Sequence, residues 1–126
     1  MSHPSSTEWL PEIEGQLSVD VFETSKTLLI RAAIAGVAGS DLTIHATTDT
    51  VTIRGTRTHH LNTDKTIIHL EECYWGPFSR SVILPSPITP EETKAILEHG
   101  VLTITLKKAE IAARIPVLEL EEENDA

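Results

Sequence analysis

In Gly100-Val101-Leu102-Thr103-Ile104-Thr105-Leu106, Leu102, Ile104 and Leu106 fall on one side of an extended chain and Thr103 and Thr105 on the other. Period two sustained this long is the pattern of a strand with one buried face. The same reading extends upstream. Phe78-Ser79-Arg80-Ser81-Val82-Ile83-Leu84 is a strand, closed by Pro85-Ser86-Pro87 because neither proline can donate to a ladder. Residues 50–55 place Val51 and Ile53 on one face, and residues 41–47 place Leu42, Ile44 and Ala46 on one face. The short turn Thr48-Asp49 joins these two as a hairpin. Residues 17–22, with Leu17, Val19 and Val21 on one side, and residues 26–34 (KTLLIRAAI) open the series. Residues 66–74 (TIIHLEECY) add another strand, led in by a polar stretch at 56–65 that is too hydrophilic to be buried. One segment breaks the pattern. Pro90-Glu91-Glu92 suits the first turn of a helix, although the residues left before Gly100 allow at most a turn or two.

Seven or eight short strands between residues 17 and 107 predict an all-β chain, an immunoglobulin-like antiparallel β-sandwich. A length of 126 residues allows one domain with tails. We expect a short N-terminal arm at 1–16, the sandwich at 17–107 and a C-terminal tail at 108–126. The arm is interrupted by Pro4, Pro11 and Gly15, and its sizeable apolar residues are Trp9, Leu10 and Ile13. In the tail, Pro116 sets its own φ and biases Ile115 away from helix, so Ile115-Pro116-Val117 is extended with Ile115 and Val117 on the same side. Such a segment is suited to joining a sheet edge as an added strand.

Ten Lys and Arg against nineteen Asp and Glu give a formal charge of −9, and Glu119, Glu121, Glu122, Glu123 and Asp125 crowd the C-terminus. That sign disfavours nucleic acid and anionic lipid as partners. No apolar run approaches the ~20 residues of a membrane span. The N-terminus has neither a basic start nor an apolar stretch, and the single cysteine, Cys73, cannot make an internal disulfide. Together these predict a reduced, cytoplasmic domain without a signal peptide.

Read in order, the motifs resemble those of the small heat-shock protein family, the α-crystallin-domain chaperones of the bacterial and plant strand-exchange type. Val19-Asp20-Val21-Phe22-Glu23-Thr24 is similar to the family's opening strand, and Ala32-Ala33-Ile34-Ala35-Gly36-Val37 to its following loop, with Ala35 where a proline is usual. Val51-Thr52-Ile53-Arg54-Gly55-Thr56-Arg57 resembles the family's L-T-I-x-G-x-R. Residues 71–85 resemble E-x-x-Y-G-x-F-x-R-x-x-x-L-P, with Trp75 added between Tyr74 and Gly76. Ala95, Leu97, Gly100, Val101, Leu102, Thr103, Ile104 and Leu106 meet A-x-L-x-x-G-V-L-T-I-x-L, and Ile115 and Val117 stand at the paired aliphatics of the tail motif.

The resemblance implies an ATP-independent holdase that binds partly unfolded proteins and prevents their aggregation under stress. It implies a homodimer, with higher oligomers left open, in which residues 66–74 leave their own sandwich and pair with the partner's first strand. The dimer-interface residues would be Val19, Val21, Ile67, Ile68, Leu70, Glu72 and Arg80, the arginine pairing with Glu71 or Glu72. The tail motif would enter a groove between residues 41–47 and 94–98, for which Leu42, Ile44 and the outward-pointing Ile96 are candidates, Ala95 and Leu97 being core. Trp9, Leu10 and Ile13 would contact clients. The plainer readings are an exposed strand arginine at 80 and ordinary core at 42 and 44. His59, His60, Asp64 and His69 lack the spacing of a structural zinc site, and adjacent histidines point apart in an extended chain. Cys73 reads as an inert, partly buried thiol. Neither G-x-S-x-G nor a P-loop occurs, so no enzyme activity and no cofactor are expected. The alternative function is a non-catalytic dimeric co-chaperone or scaffold module.

Overall fold

The computed structural model describes residues 15–59, 61, 63–110 and 114–121. Among the described residues, eight strands make two four-stranded sheets. The first has the order β1 (Gly15–Gln16), β6 (Gly76–Ile83), β5 (Thr50–Arg57), β4 (Leu42–Ala46). The second has the order β2 (Asp20–Glu23), β3 (Thr27–Ala33), β8 (Val101–Lys108), β7 (Ile88–Glu98). Every pairing is antiparallel except the two-residue β1, which lies parallel to β6. Alternate residues of the inner strands meet between the sheets. Leu28, Ile30, Val51, Ile53, Ile104 and Leu106 are fully buried there. The threonines and serines of the same strands, such as Thr52 and Ser81, line the outside and bond each other at 3.1 Å. This is the immunoglobulin-like sandwich that the alternation predicts.

Three elements differ from the sequence reading. The strand expected at 17–22 starts only at Asp20 as β2 of the second sheet, while Gly15 and Gln16, expected in the arm, form β1 of the first sheet, and the chain crosses between the sheets at Leu17, which is buried as a plug. Pro90-Glu91-Glu92 lies within β7 and not in a helix. Its register against β8 slips between Ile88 and Thr93, so Pro90 sits where no ladder hydrogen bond is required of it. The edge of β8 offers a row of backbone bonds that a short helix could not satisfy. Finally, residues 66–74 form no strand in the single chain. No helix among the described residues is long and apolar enough to cross a membrane.

Because residues 17–19 link β1 directly to β2, those two edges lie on one flank of the sandwich. The remaining edges, β4 and β7, then face each other on the opposite flank. The turn that returns β7 into β8 is tight: His99 and Gly100 both have positive φ, 51° and 75°. A two-residue hairpin turn with that twist fits the flanking strands, and glycine adopts it at little cost.

Candidate functional site

Two apolar segments lie outside the sandwich, and two open flanks lie beside it. The first segment follows β5. Its base is anchored by Arg57, whose Nε donates to the Ala35 carbonyl at 2.8 Å and whose Nη1 donates to the Tyr74 carbonyl at 3.3 Å. The same guanidinium lies 5.8 Å from the Phe78 ring centre. Tyr74 donates its hydroxyl hydrogen bond to the Pro77 carbonyl, and its ring covers Gly15, where a Cβ would come within 2.7 Å of it. His59 meets Trp75 edge to face at 5.1 Å. Beyond this tied base, the loop turns its apolar side chains outward: Ile67 is 83%, Ile68 55% and Leu70 78% exposed. With Leu61, Cys73 and Trp75 they line a shallow recess. Cys73 is exposed in the single chain, in the segment expected to be exchanged.

The flank beside β2 holds the other expected interface residues. Val19 packs against the core while Val21 is 40% exposed, and the outer edge of β2 pairs with no strand among the described residues. Arg80 follows the inward parity of Phe78 and Val82 but is only half-buried, and its Nη1 donates to the Leu17 carbonyl at 3.1 Å. Within the single chain no carboxylate of a described residue lies within ion-pair distance of it, and Glu71 and Glu72 stand exposed on the loop.

The opposite flank is lined from β4 by Leu42, Ile44 and Ala46, all half-buried against the core. From β7 it is lined by Leu97, also packed on the core, and by Ala95. Ala95 is exposed and not core, because β7 is the sheet edge and no strand lies beyond it. Ile96 has the opposite parity. It pairs with Thr103 and sits on the outer face of the second sheet, away from the flank that Leu42 and Ile44 line. The second apolar segment, the tail, stands clear of the sandwich: Ile115 is 81% and Val117 92% exposed. Leu118 and Leu120, at 83% and 88%, are apolar residues that the paired-aliphatic pattern passed over. Their signal in the sequence is an apolar pair of the other parity directly after Ile115-Pro116-Val117. Arg57 was legible only as a motif letter, since its partners are 17 and 22 residues distant. Trp9, Leu10 and Ile13 lie outside the described residues.

The described residues thus form a two-sheet sandwich with open edges on both flanks and exposed apolar segments at loop and tail. The chain belongs to the Hsp20/alpha crystallin family, whose model matches residues 20–117. It is 30% identical over 91 residues to small heat shock protein C2 of Rickettsia felis, covering 72% of this chain and 59% of that protein. It is 32% identical over 89 residues to spore protein SP21 of Stigmatella aurantiaca, covering 71% and 53%. The chain thus spans a little over half the length of these curated relatives. Heat shock protein 16.0 from Schizosaccharomyces pombe superposes with a TM-score of 0.71 at 25% identity, over 86% of this chain and all of that one.

Proposed function

We propose that the chain is an ATP-independent holdase that works from a strand-exchanged homodimer in the cytoplasm, without catalysis. One observation carries the reading. A segment with the composition of a strand, residues 66–74, forms no strand among the described residues and exposes Ile67, Ile68 and Leu70. Exposed apolar surface of this kind marks an interaction site. The unpaired edge of β2 is a place where a partner's segment can add, bringing Ile67, Ile68 and Leu70 near Val19 and Val21 and Glu72 near Arg80. In the same reading Ile115 and Val117 enter a neighbour's flank between β4 and β7, and Trp9, Leu10 and Ile13 contact partly unfolded clients. The acidic tail end keeps client complexes dispersed by like-charge repulsion.

The test is light scattering from a heat-labile protein, with the chain added at equimolar subunits and no nucleotide present. Suppressed scattering is expected. Undiminished scattering from a chain that is still dimeric would instead support a docking module.

A further inference from the structure

Val19-Asp20-Val21 and Ile68-His69-Leu70 have the same pattern, one titratable side chain between two aliphatic ones. The first runs into β2, an edge strand all of whose residues are exposed, and the second lies in the loop between β5 and β6. In an extended chain the middle residue points to the opposite face from its neighbours. In the first triplet the aliphatic pair is the inward one, since Val19 packs on the core and Val21 pairs with the buried Ile30. Asp20 therefore lies on the outer face of the second sheet, in register with Arg31. Phe22 lies on the same face in register with Leu29 and is 48% exposed. No ion pair among the described residues includes Asp20 or His69.

We propose that Ile68-His69-Leu70 of one subunit lies antiparallel against Val19-Asp20-Val21 of the partner subunit with His69 opposite Asp20, and that this pair tightens the dimer in mild acid. The proposal rests on the strand exchange proposed above and adds its register and a pH dependence. Turning Ile68 and Leu70 toward Val19 and Val21 sends His69 to the outer face, where Asp20 stands. The flanking residues set the direction. In the antiparallel register Ile67 falls opposite Phe22, so two exposed apolar side chains cover each other. Glu72 then falls opposite Leu17, whose carbonyl already holds Arg80. A parallel strand would set Glu72 against Glu23. An antiparallel strand slipped by two residues would set Glu71 against Asp20, and like charges directly opposite are destabilising. The opposite slip would set Leu70 against Leu17, which is already buried. In the proposed register His69 faces Asp20 on β2, with Arg31 beyond it on β3, and has Ile67 and Glu71 on its own face of the exchanged segment. Asp20 is one strand away and Arg31 two, so attraction outweighs repulsion. Imidazoles gain their proton between about pH 5 and 8. The contact with Asp20 exists only in the dimer, so dimerisation takes up protons as pH falls through that range.

Disulfide trapping reads the register. Full-length chains in a Cys73→Ser background, each with one added cysteine, are mixed, allowed to exchange subunits and mildly oxidised, each protein oxidised alone serving as the baseline. Asp20→Cys with His69→Cys is expected to give a two-chain product, while Asp20→Cys with Glu71→Cys should stay at baseline. Trapping of the second pair without the first overturns the register and leaves strand exchange standing. Trapping of neither overturns both. Sedimentation velocity across a dilution series, at about pH 6 and about pH 8, reads the pH dependence. A two-fold dimer holds two such pairs, so the unaltered chain should dissociate at a concentration about 2- to 30-fold lower in acid. The chain's other histidines also gain protons in acid, so Asp20→Asn and His69→Gln carry the comparison. Both are expected to lose the same part of the dependence, and the double variant to lose no more. A dependence that either single variant keeps in full, or that the unaltered chain lacks, overturns the pairing of His69 with Asp20.

Discussion

Gly55 is a glycine whose surroundings leave no room for a Cβ. A Cβ there would fall 2.6 Å from Cζ of Phe78, 2.9 Å from Cδ2 of Leu42 and 3.0 Å from the Asp41 carbonyl oxygen. The phenyl ring fills the space the glycine leaves, and one contact is backbone, so the neighbours cannot all retreat. Gly55→Ala should lower stability by about 1–3 kcal/mol, the usual cost of overpacking, read from urea denaturation. Glu23 shows a residue effect of a different kind. Its carboxyl is held below the usual carboxylate range, chiefly by a hydrogen bond from Lys108, against the opposing effect of desolvation, and further by the charge of Lys108 and a bond from Ser86. The folded pKa is below the unfolded one, so this contact stabilises fully above the ordinary carboxylate pKa and fades as pH falls through the lowered value. The melting temperatures of the unaltered chain and Glu23→Gln should therefore differ at neutral pH and converge in acid. The size of the gap is small, since the pair is exposed to solvent.

Among the elements, the loop between β5 and β6 and the edge strand β7 carry the consequences. The loop is tied at its base by Arg57, Tyr74 and Trp75, and its residues 67–73 belong to no strand of either sheet, which is the arrangement of an arm that is aimed outward. Amide exchange at residues 66–74 should be slow in a concentrated sample and quicken on dilution, in step with dissociation. Fast exchange at every concentration would sink the exchanged-strand reading. β7 is instructive because its local preference is overridden. Pro90, Glu91 and Glu92 favour a helix start, yet the strand forms because β8 supplies a full row of bonds from Thr93 onward and the register slip spares Pro90. Local propensities of a few tenths of a kcal/mol to about one per residue do not outweigh such pairing.

At the scale of the whole molecule, the sandwich is closed by its core and left open at its flanks, so further assembly is a matter of edges. Arg80 is half-buried, and no carboxylate of a described residue lies within ion-pair distance of it. Arg80→Ala should raise the concentration at which dimers dissociate by more than the ~0.5 kcal/mol typical of an exposed residue. Sedimentation velocity across a dilution series measures this, and equal midpoints would leave Arg80 an ordinary strand arginine. The tail makes the complementary case. Ile115 and Val117 contribute nothing to the core at 81% and 92% exposure, so Ile115→Gly with Val117→Gly should leave the circular dichroism spectrum unchanged. Burying such side chains is worth about 1.5–3 kcal/mol each, reduced by the cost of ordering the tail. The contact should open on warming, and the double variant should elute as dimers wherever the unaltered chain forms larger species.

The strands, their faces and the buried set of residues follow from period two alone, because a strand with one face in water and one in oil leaves that mark on every second residue. Val51, Ile53, Leu102, Ile104 and Leu106 are legible in this way, and so are Ile115 and Val117 as an extended apolar pair. Other features depend on which residues meet across the fold. Leu17 is a plug because the chain changes sheets there, and Arg57 is an anchor because Ala35 and Tyr74 arrive beside it. Ala95 is exposed because β7 is an edge. Ile96 points to the outer face of its sheet because the register of β7 against β8 pairs it with Thr103. Periodicity reports which side of a strand is apolar. What stands opposite that side is decided by long-range pairing, which local sequence does not encode.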